Sequence, residues 1–341
     1  MKKSLITLGV LALFVLMAYG QEKKFALYSV AFYNMENLFD TIHDEGKNDY
    51  EYLPNGTNQW NTMKYKAKLK NMSEILSMLS TDKLPMGPAI IGVSEIENYR
   101  VLEDILKQPA LADKGYQYVH YEGEDQRGVD CAFFYNPKLF ELTNSKLVPY
   151  VYINDTVHKT RGFLIASGNI AGEKMHFIVN HWPSRAAASP ARERAGEQVR
   201  AIKDSLLRED SAAKIVIMGD MNDDPMDKSM AVALGAKRKP ADVGPTDLYN
   251  PWWDTLKKGY GTLMYKGKWN LFDQIVFTGN LLGTDRSTLK FYKHEIFRRD
   301  FMFQKEGKYK GYPKRTQAGG VWLNGYSDHL PTIIYLIKEV K

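Results

Sequence analysis

"KIVIMGDMNDDP", residues 214–225, is a short apolar run that breaks off into carboxylates and amides. Its length and β-branched content read as a buried strand, too short for a helix of ordinary size. Asp220 and Asn222 stand two residues apart, so while the chain stays extended their side chains leave one face. A carboxylate and an amide aimed together can hold a water or a phosphate oxygen between them. Asp223, Asp224 and Pro225 read as formers of the turn that follows.

The same punctuation recurs along the chain. "FALYSVAFYN" (25–34) stops at Asn34 with Glu36 just beyond, "AIIGVSE" (89–95) stops at Glu95, and "KMHFIVNH" (174–181) stops at His181. "FDQIVFTG" (272–279) carries Asp273, and Asp328 and His329 precede the strand "TIIYLIKEV" (332–340). "YQYVHYEG" (116–123), "VDCAFFYN" (129–136) and "FLIASGNI" (163–170) add strands. Two stretches have helical spacing. One covers 62–80, with Leu69, Met72, Ile75, Leu76 and Leu79 on one face; the other covers 190–208, with Ala195, Val199, Ile202 and Leu206 behind Pro190. Strands outnumber helices and both recur, which predicts an α/β sandwich with largely non-parallel sheets rather than a doubly wound sheet. Asn and Asp after a strand usually make turns; repeated at many strand ends, they can converge on one edge of the sheets.

The chain has 341 residues, 44% hydrophobic and 25% charged, enough to fill a large core without an extensive disordered region. Its start, "MKKSLITLGVLALFVLMAYGQ", has two lysines, a short apolar stretch and small residues before Gln21. This reads as a signal peptide over 1–20, followed by a single domain over 21–341 that is exported, periplasmic or extracellular, with no membrane anchor after cleavage. The single cysteine, Cys131, excludes an internal disulfide and a cysteine-held metal cluster. No histidine pair has zinc-ligand spacing, so the available ligands are carboxylate and amide oxygens. These suit Mg2+, with Mn2+ or Ca2+ as alternatives. A hard cation beside a histidine fits phosphoryl chemistry, and the formal charge of +6 fits a phosphorylated or polyanionic substrate.

Taken together, "FYNMENLFD" (32–40), "GVSEIEN" (92–98), "RGVDCAFFY" (127–135), "NHWPSR" (180–185), "GDMNDDP" (219–225), "FDQIVF" (272–277) and "SDHLP" (327–331) resemble the endonuclease/exonuclease/phosphatase superfamily. The motifs arrive in that family's order. The resemblance implies a DNase I-like four-layer α/β sandwich, with two mixed, largely antiparallel sheets face to face and helices outside. It implies that Asn34 and Glu95 bind the divalent ion, with Asp328 on the metal side or orienting. It implies that Asp220 activates water, Asn222 contacts phosphate, and His181 and His329 flank the scissile group. Asp273 would orient a histidine, and the family pattern points to His181 as its partner. Arg127, Arg185 and Tyr118 are candidate phosphate contacts. Glu36 is a second ion-side carboxylate or a loop cap, with Asp40 and Arg161 as further candidates.

The family cuts phosphoester bonds in many settings. A nuclease acting on DNA or RNA fits export, the basic balance, and the basic–aromatic stretches 64–70 and 290–315. A small phosphoester or a phospholipid head group is the alternative, the latter keeping an exposed apolar hairpin in "NPWWDTLKKGYGTLMY" (250–265). A scaffold that kept the fold and lost the chemistry is a third reading, which the full motif set opposes. No stable protein partner is implied.

Overall fold

The computed structural model describes residues 23–340 apart from 80, 82, 154 and 156. The expected signal segment lies outside the described residues. In chain order the strands are β1 (Lys24–Leu38), β2 (Ile90–Ile96), β3 (Gln117–His120), β4 (Asp130–Tyr135), β5 (Phe140–Val148), β6 (Phe163–Ile170), β7 (Glu173–His181), β8 (Lys214–Asp220) and β9 (Ala236–Lys237). There follow β10 (Leu248–Tyr249), β11 (Leu263–Tyr265), β12 (Lys268–Asn270), β13 (Asp273–Thr278), β14 (Lys290–Ile296), β15 (Gln317–Ala318), β16 (Val321–Trp322) and β17 (Thr332–Val340). The helices are α1 (Thr62–Met78), α2 (Tyr99–Leu106), α3 (Ser189–Glu209) and α4 (Trp253–Lys257).

Two sheets dominate. One runs β14-β17-β1-β2-β4-β3 and the other β5-β6-β7-β8-β13-β10-β9. Most pairs are antiparallel; β1 with β2, β7 with β8 and β9 with β10 are parallel. The sheets pack face to face through Val30, Phe32, Ile90 and Phe133 on one side and Phe177, Val216, Met218 and Phe277 on the other. Gly92 makes room at this contact, since a Cβ there would come 2.6 Å from Met218 Sδ. The outer face of the first sheet is covered by α1 and α2, and that of the second by α3. This is the four-layer α/β sandwich.

The inner strands are buried on both faces, so they read as continuous apolar runs rather than alternating ones. In β1, Val30 and Phe32 face the other sheet while Ala31, Tyr33 and Met35 face the helices. Asn61 caps α1 through Lys64 N–H, and Asn98 caps α2 through the N–H groups of Arg100 and Val101. The helix α2 escapes a sequence reading because Val101, Leu102 and Ile105 give it too few apolar repeats. The strand β14 escapes it because Lys290, Tyr292 and Lys293 belong to a sheet edge, which tolerates charge. Trp252, part of the stretch that kept open an exposed apolar hairpin for a phospholipid substrate, is instead wholly buried and donates Nε1–H to the Ile275 carbonyl. Among the described residues, no helix is long and apolar enough to cross a membrane.

His294 on β14 lies edge-on to Trp252 at 4.8 Å and shares a 2.9 Å hydrogen bond with Thr255 Oγ1. Burial, with Lys258 adding to it, lowers its pKa to about 4. The unfolded chain therefore binds a proton that the folded chain refuses, and stability is lost as pH falls from about 6.5 toward 4. His294→Gln keeps the acceptor and removes the titration. Thermal melts at neutral pH and near pH 4.5 should show the variant losing less stability than the parent, by on the order of 2 kcal/mol.

Candidate active site

Strand β8 lies between β7, parallel to it, and β13, antiparallel. Register sets His181, Asp220 and Asp273 abreast across the three strand ends. From the opposing sheet, β1 and β2 bring Asn34 and Glu95 to the same edge. Irregular pairing between Asn34 and Leu38, and between Ser94 and Ile96, marks bulges here. Glu36, Asn37, Glu95 and Asn222 all have positive φ, of 45°, 52°, 58° and 52°. Backbone strain of this kind costs on the order of 1 kcal/mol or more per residue and gathers where side chains must be re-aimed.

Asn34 is the central joint. Its Nδ2 donates to Glu95 Oε1 at 3.2 Å and Asp220 Oδ2 at 3.0 Å, while its Oδ1 accepts Glu36 N–H at 2.8 Å. Glu95 Oε2 accepts Asn37 N–H, and Asp220 Oδ1 accepts Asn222 N–H. Burial, opposed by His329 and assisted by Asp273 and Glu95, lifts the Asp220 carboxyl to about 7.

The two histidines carry opposite protonation preferences. Burial disfavours the charged form of His329, but Asp273, bonded to its Nδ1 at 2.7 Å, together with Asp220 and Asp328 outweighs this and holds the imidazolium well above its usual pKa. His181 is pushed well below its usual value by burial, then by Arg161, Arg127 and His329. Its Nε2 faces Glu95 Oε1 at 3.7 Å and Asp220 Oδ2 at 3.8 Å. Its Nδ1 has no hydrogen-bond partner among the described residues.

These groups line a cavity of about 340 Å³, whose wall also includes Arg127, Arg161, Ser184 and Asn222. Arg161 is buried, with Nη1 on Asp125 Oδ2 and Nη2 on the Trp182 carbonyl, each at 3.0 Å. Its buried Nε has no partner among the described residues. Arg127 is half exposed beside the same Asp125, at 3.7 Å. One wall is thus cationic and the floor anionic.

The donor set fits a divalent cation. Oxygens of Glu95 and Asp220 and a ring nitrogen of His181 lie within 4.8 Å of one another, and the raised Asp220 pKa marks negative charge that a cation would relieve. Glu95 and Asp220 supply hard oxygen ligands.

The structure brings Asn34, Glu95, Arg127, His181, Asp220, Asn222, Asp273, Asp328 and His329 together, and it corrects several expectations. Asp273 holds His329, not His181, because the segment 327–330 docks against Thr262 beside the start of β13 and brings His329 over Asp273, while Asp220 stands between Asp273 and His181. Asn34 turns its amide nitrogen toward the carboxylates and its oxygen toward Glu36 N–H. Tyr118 lies on β3 in a separate groove with Glu103, Lys107 and Tyr116, because β3 is the far edge of its sheet. Arg185 is committed to Asp223, Asp224, Asp227 and the Asn222 carbonyl over the face of Phe272, so it braces the 222–227 turn and does not line the cavity. Asp328 and Glu36 are bridged by Arg315, and Asp40 is bound by Arg100 away from the cavity. Ser184 and Arg315 escaped the sequence reading. Ser184 sits inside the quoted "NHWPSR" and had a positional signal; Arg315 closes the basic–aromatic stretch 290–315, two residues before the short β15, and nothing there pointed to this site.

A family model described as the Endonuclease/Exonuclease/phosphatase family matches residues 29–338, and the chain belongs to that family. No curated protein matches it. Among solved structures, an endonuclease/exonuclease/phosphatase family protein from Bacteroides thetaiotaomicron is 15% identical, with TM-score 0.57 over 93% of this chain and 97% of that one. A mannosyl-6-phosphatase of the same species is 15% identical, with TM-score 0.56 over 91% and 99%. TDP2 of D. rerio, complexed with a single-strand DNA product, is 14% identical, with TM-score 0.54 over 91% and 98%. At such identities the likeness is one of fold.

The Asp273–His329 bond gives a direct test. Asp273→Asn removes the carboxylate that contributes most to the raised His329 pKa, so NMR titration of the ring in EDTA should show that pKa falling by at least a unit. An unchanged value would place the hold on Asp220 and Asp328.

Proposed function

Taking that membership as premise, we propose that this is an exported, divalent-cation-dependent phosphoester hydrolase that cuts nucleic acid by attack of activated water. The observation that carries the proposal is the row His181–Asp220–Asp273 with His329 locked onto its end, facing an arginine wall across one cavity. Glu95 would hold the cation, with Asp220 completing the negative charge around it; bound there, the cation would draw charge off the phosphoryl oxygens.

The remaining work falls to the chain's own residues. Arg127 and Arg161 bind the phosphoryl oxygens from the cationic wall, Arg161 with its planar fork already oriented by Asp125. Asp220, lining the cavity beside the place of the cation, is positioned to orient the attacking water and take its proton. His329, charged and fixed through Nδ1, presents Nε2–H to the leaving oxygen. Neutral His181 donates from the opposite side. Opposite protonation states in one site divide acid from base work.

Two features support a nucleic-acid strand as substrate. Lys305, Lys308 and Lys310 are exposed on a segment that runs into the site at Arg315, and Tyr309 among them is 51% exposed. The aromatic half of the expected stacking surface is partly engaged within the protein, since Arg298 lies on Tyr260, Trp269 and Phe303. A small phosphomonoester is the second reading, favoured by the modest cavity and its two guanidinium groups.

Purified protein with Mg2+, Mn2+ or Ca2+ is to be assayed against duplex DNA, single-stranded DNA, RNA, bis-(p-nitrophenyl) phosphate, p-nitrophenyl phosphate and sphingomyelin. EDTA should abolish turnover of DNA or RNA. Asp220→Asn and His329→Gln should each lower kcat by about 10²–10⁴ without unfolding the protein. Turnover confined to the monoester would establish the second reading. Metal-independent turnover, or full activity in Asp220→Asn, would overturn the mechanism.

A further inference from the structure

Beside the cavity stands another carboxylate pair. Glu36 lies two residues past Asn34, and Asp328 immediately precedes His329. The Arg315 guanidinium spans them, with Nε on Glu36 Oε1 at 2.8 Å and Nη2 on Asp328 Oδ2 at 2.9 Å. Glu36 Oε2 accepts Thr316 N–H at 2.7 Å. Lys68, fully buried on α1, stands 3.8 Å from the same oxygen and donates to Thr316 Oγ1 and the Tyr326 carbonyl.

The Glu95–Asp220 pair is treated differently. Its bonded donors are the Asn34 amide and two backbone N–H groups; the His329 ring stands 3.8 Å from Asp220 Oδ2, and among the described residues no guanidinium or ammonium bonds either carboxylate. At one strand edge, therefore, one carboxylate pair is bridged by a guanidinium and the other is not.

We propose that Arg315 is a built-in cation, its guanidinium occupying the place between Glu36 and Asp328 that a second divalent ion would otherwise take, so that the site binds a single ion at Glu95 and Asp220. This rests on the reading above that a divalent ion binds at all. A divalent ion needs carboxylate oxygens at roughly 2.0–2.6 Å, which the guanidinium already covers. Arginine stays charged at any working pH, and its fork matches both carboxylates at once. The same bridge fixes Asp328, and through it the backbone of His329, which makes Arg315 a positioning residue as well.

Calorimetric titration of the metal-free full chain with Mn2+ tests this, with bound Mn2+ counted independently by electron paramagnetic resonance. The expected stoichiometry is one ion in the parent, one in Arg315→Lys and two in Arg315→Met, with the second ion lost again in Arg315→Met/Glu36→Gln. A merely structural role for Arg315 would lower the melting temperature and leave the count at one. Two ions in the parent would overturn the proposal, even if Arg315→Met fails to fold, and so would a folded Arg315→Met that binds one. No ion in the parent would overturn the cation-dependent reading itself, a result that the count separates from the other two.

Discussion

Glu36, Glu95, Asp220, Asp273 and Asp328 meet at one edge of the sandwich, and Glu36, Asp220 and Asp273 are almost wholly removed from water. A buried carboxylate costs several kcal/mol unless donors or opposite charge replace its solvent. Each is compensated in its own way. Asp273 has the His329 imidazolium, Glu36 and Asp328 share Arg315, and Asp220 and Glu95 share one asparagine amide. The architecture around the edge can be understood as the means of bringing these compensating groups to the right carboxylate. The burial of Lys68 on α1, the docking of the 314–327 segment and the double donation by Asn34 are parts of that arrangement.

Compensation differs from one carboxylate to the next, while burial acts on Glu36 and Asp220 alike: each is lifted to about 7, Glu36 against the pull of Lys68 and Arg315 and Asp220 against that of His329. Asp220 and Asp273 are register partners on adjacent strands, yet His329 bonds Asp273 directly at 2.7 Å and stands 3.8 Å from Asp220. The histidines repeat the contrast. His329 is charged because carboxylates surround it, and His181 is neutral because burial and two arginines oppose its protonation. Four left-handed residues at the strand ends show that the backbone is bent to achieve these environments, a sign that placement at this edge prevails over local comfort.

Much of this was legible in the sequence, because the strand ends carry it. Asn34, Glu95, His181 and Asp220 all end apolar runs, and parallel pairing of β1 with β2 and of β7 with β8 takes those ends to one edge. Antiparallel pairing brings strand beginnings to the same edge, a signal that is harder to see. Arg161 stands just before β6, opposite Trp182 by extension of the β6–β7 register, and its wall position follows from that pairing. The partner of Asp273 depended on which loop docks beside β13, which no local pattern encodes. Arg315 depends on a segment with little regular structure, held by tertiary contacts over more than 270 residues of sequence separation.

Net charge is a weak guide to this protein's partner, and the structure explains why. Several of the cations counted in the sequence are engaged internally: Lys68 and Arg315 at Glu36, Arg100 at Asp40 and Asp44, Arg161 at Asp125, Arg192 at Asp223, and Arg298 on three aromatic rings. What a phosphorylated substrate would meet is local: an arginine wall above an anionic floor, with exposed lysines along the 305–310 approach. Such a field orients a phosphoryl group before it contacts the carboxylates, because its oxygens are drawn to one wall and repelled by the other. A phosphomonoester, with its further negative charge, feels this field more strongly than a phosphodiester does, whereas a strand would also meet the exposed lysines of the approach, so the arginine wall and the approach pull the choice of substrate in opposite directions.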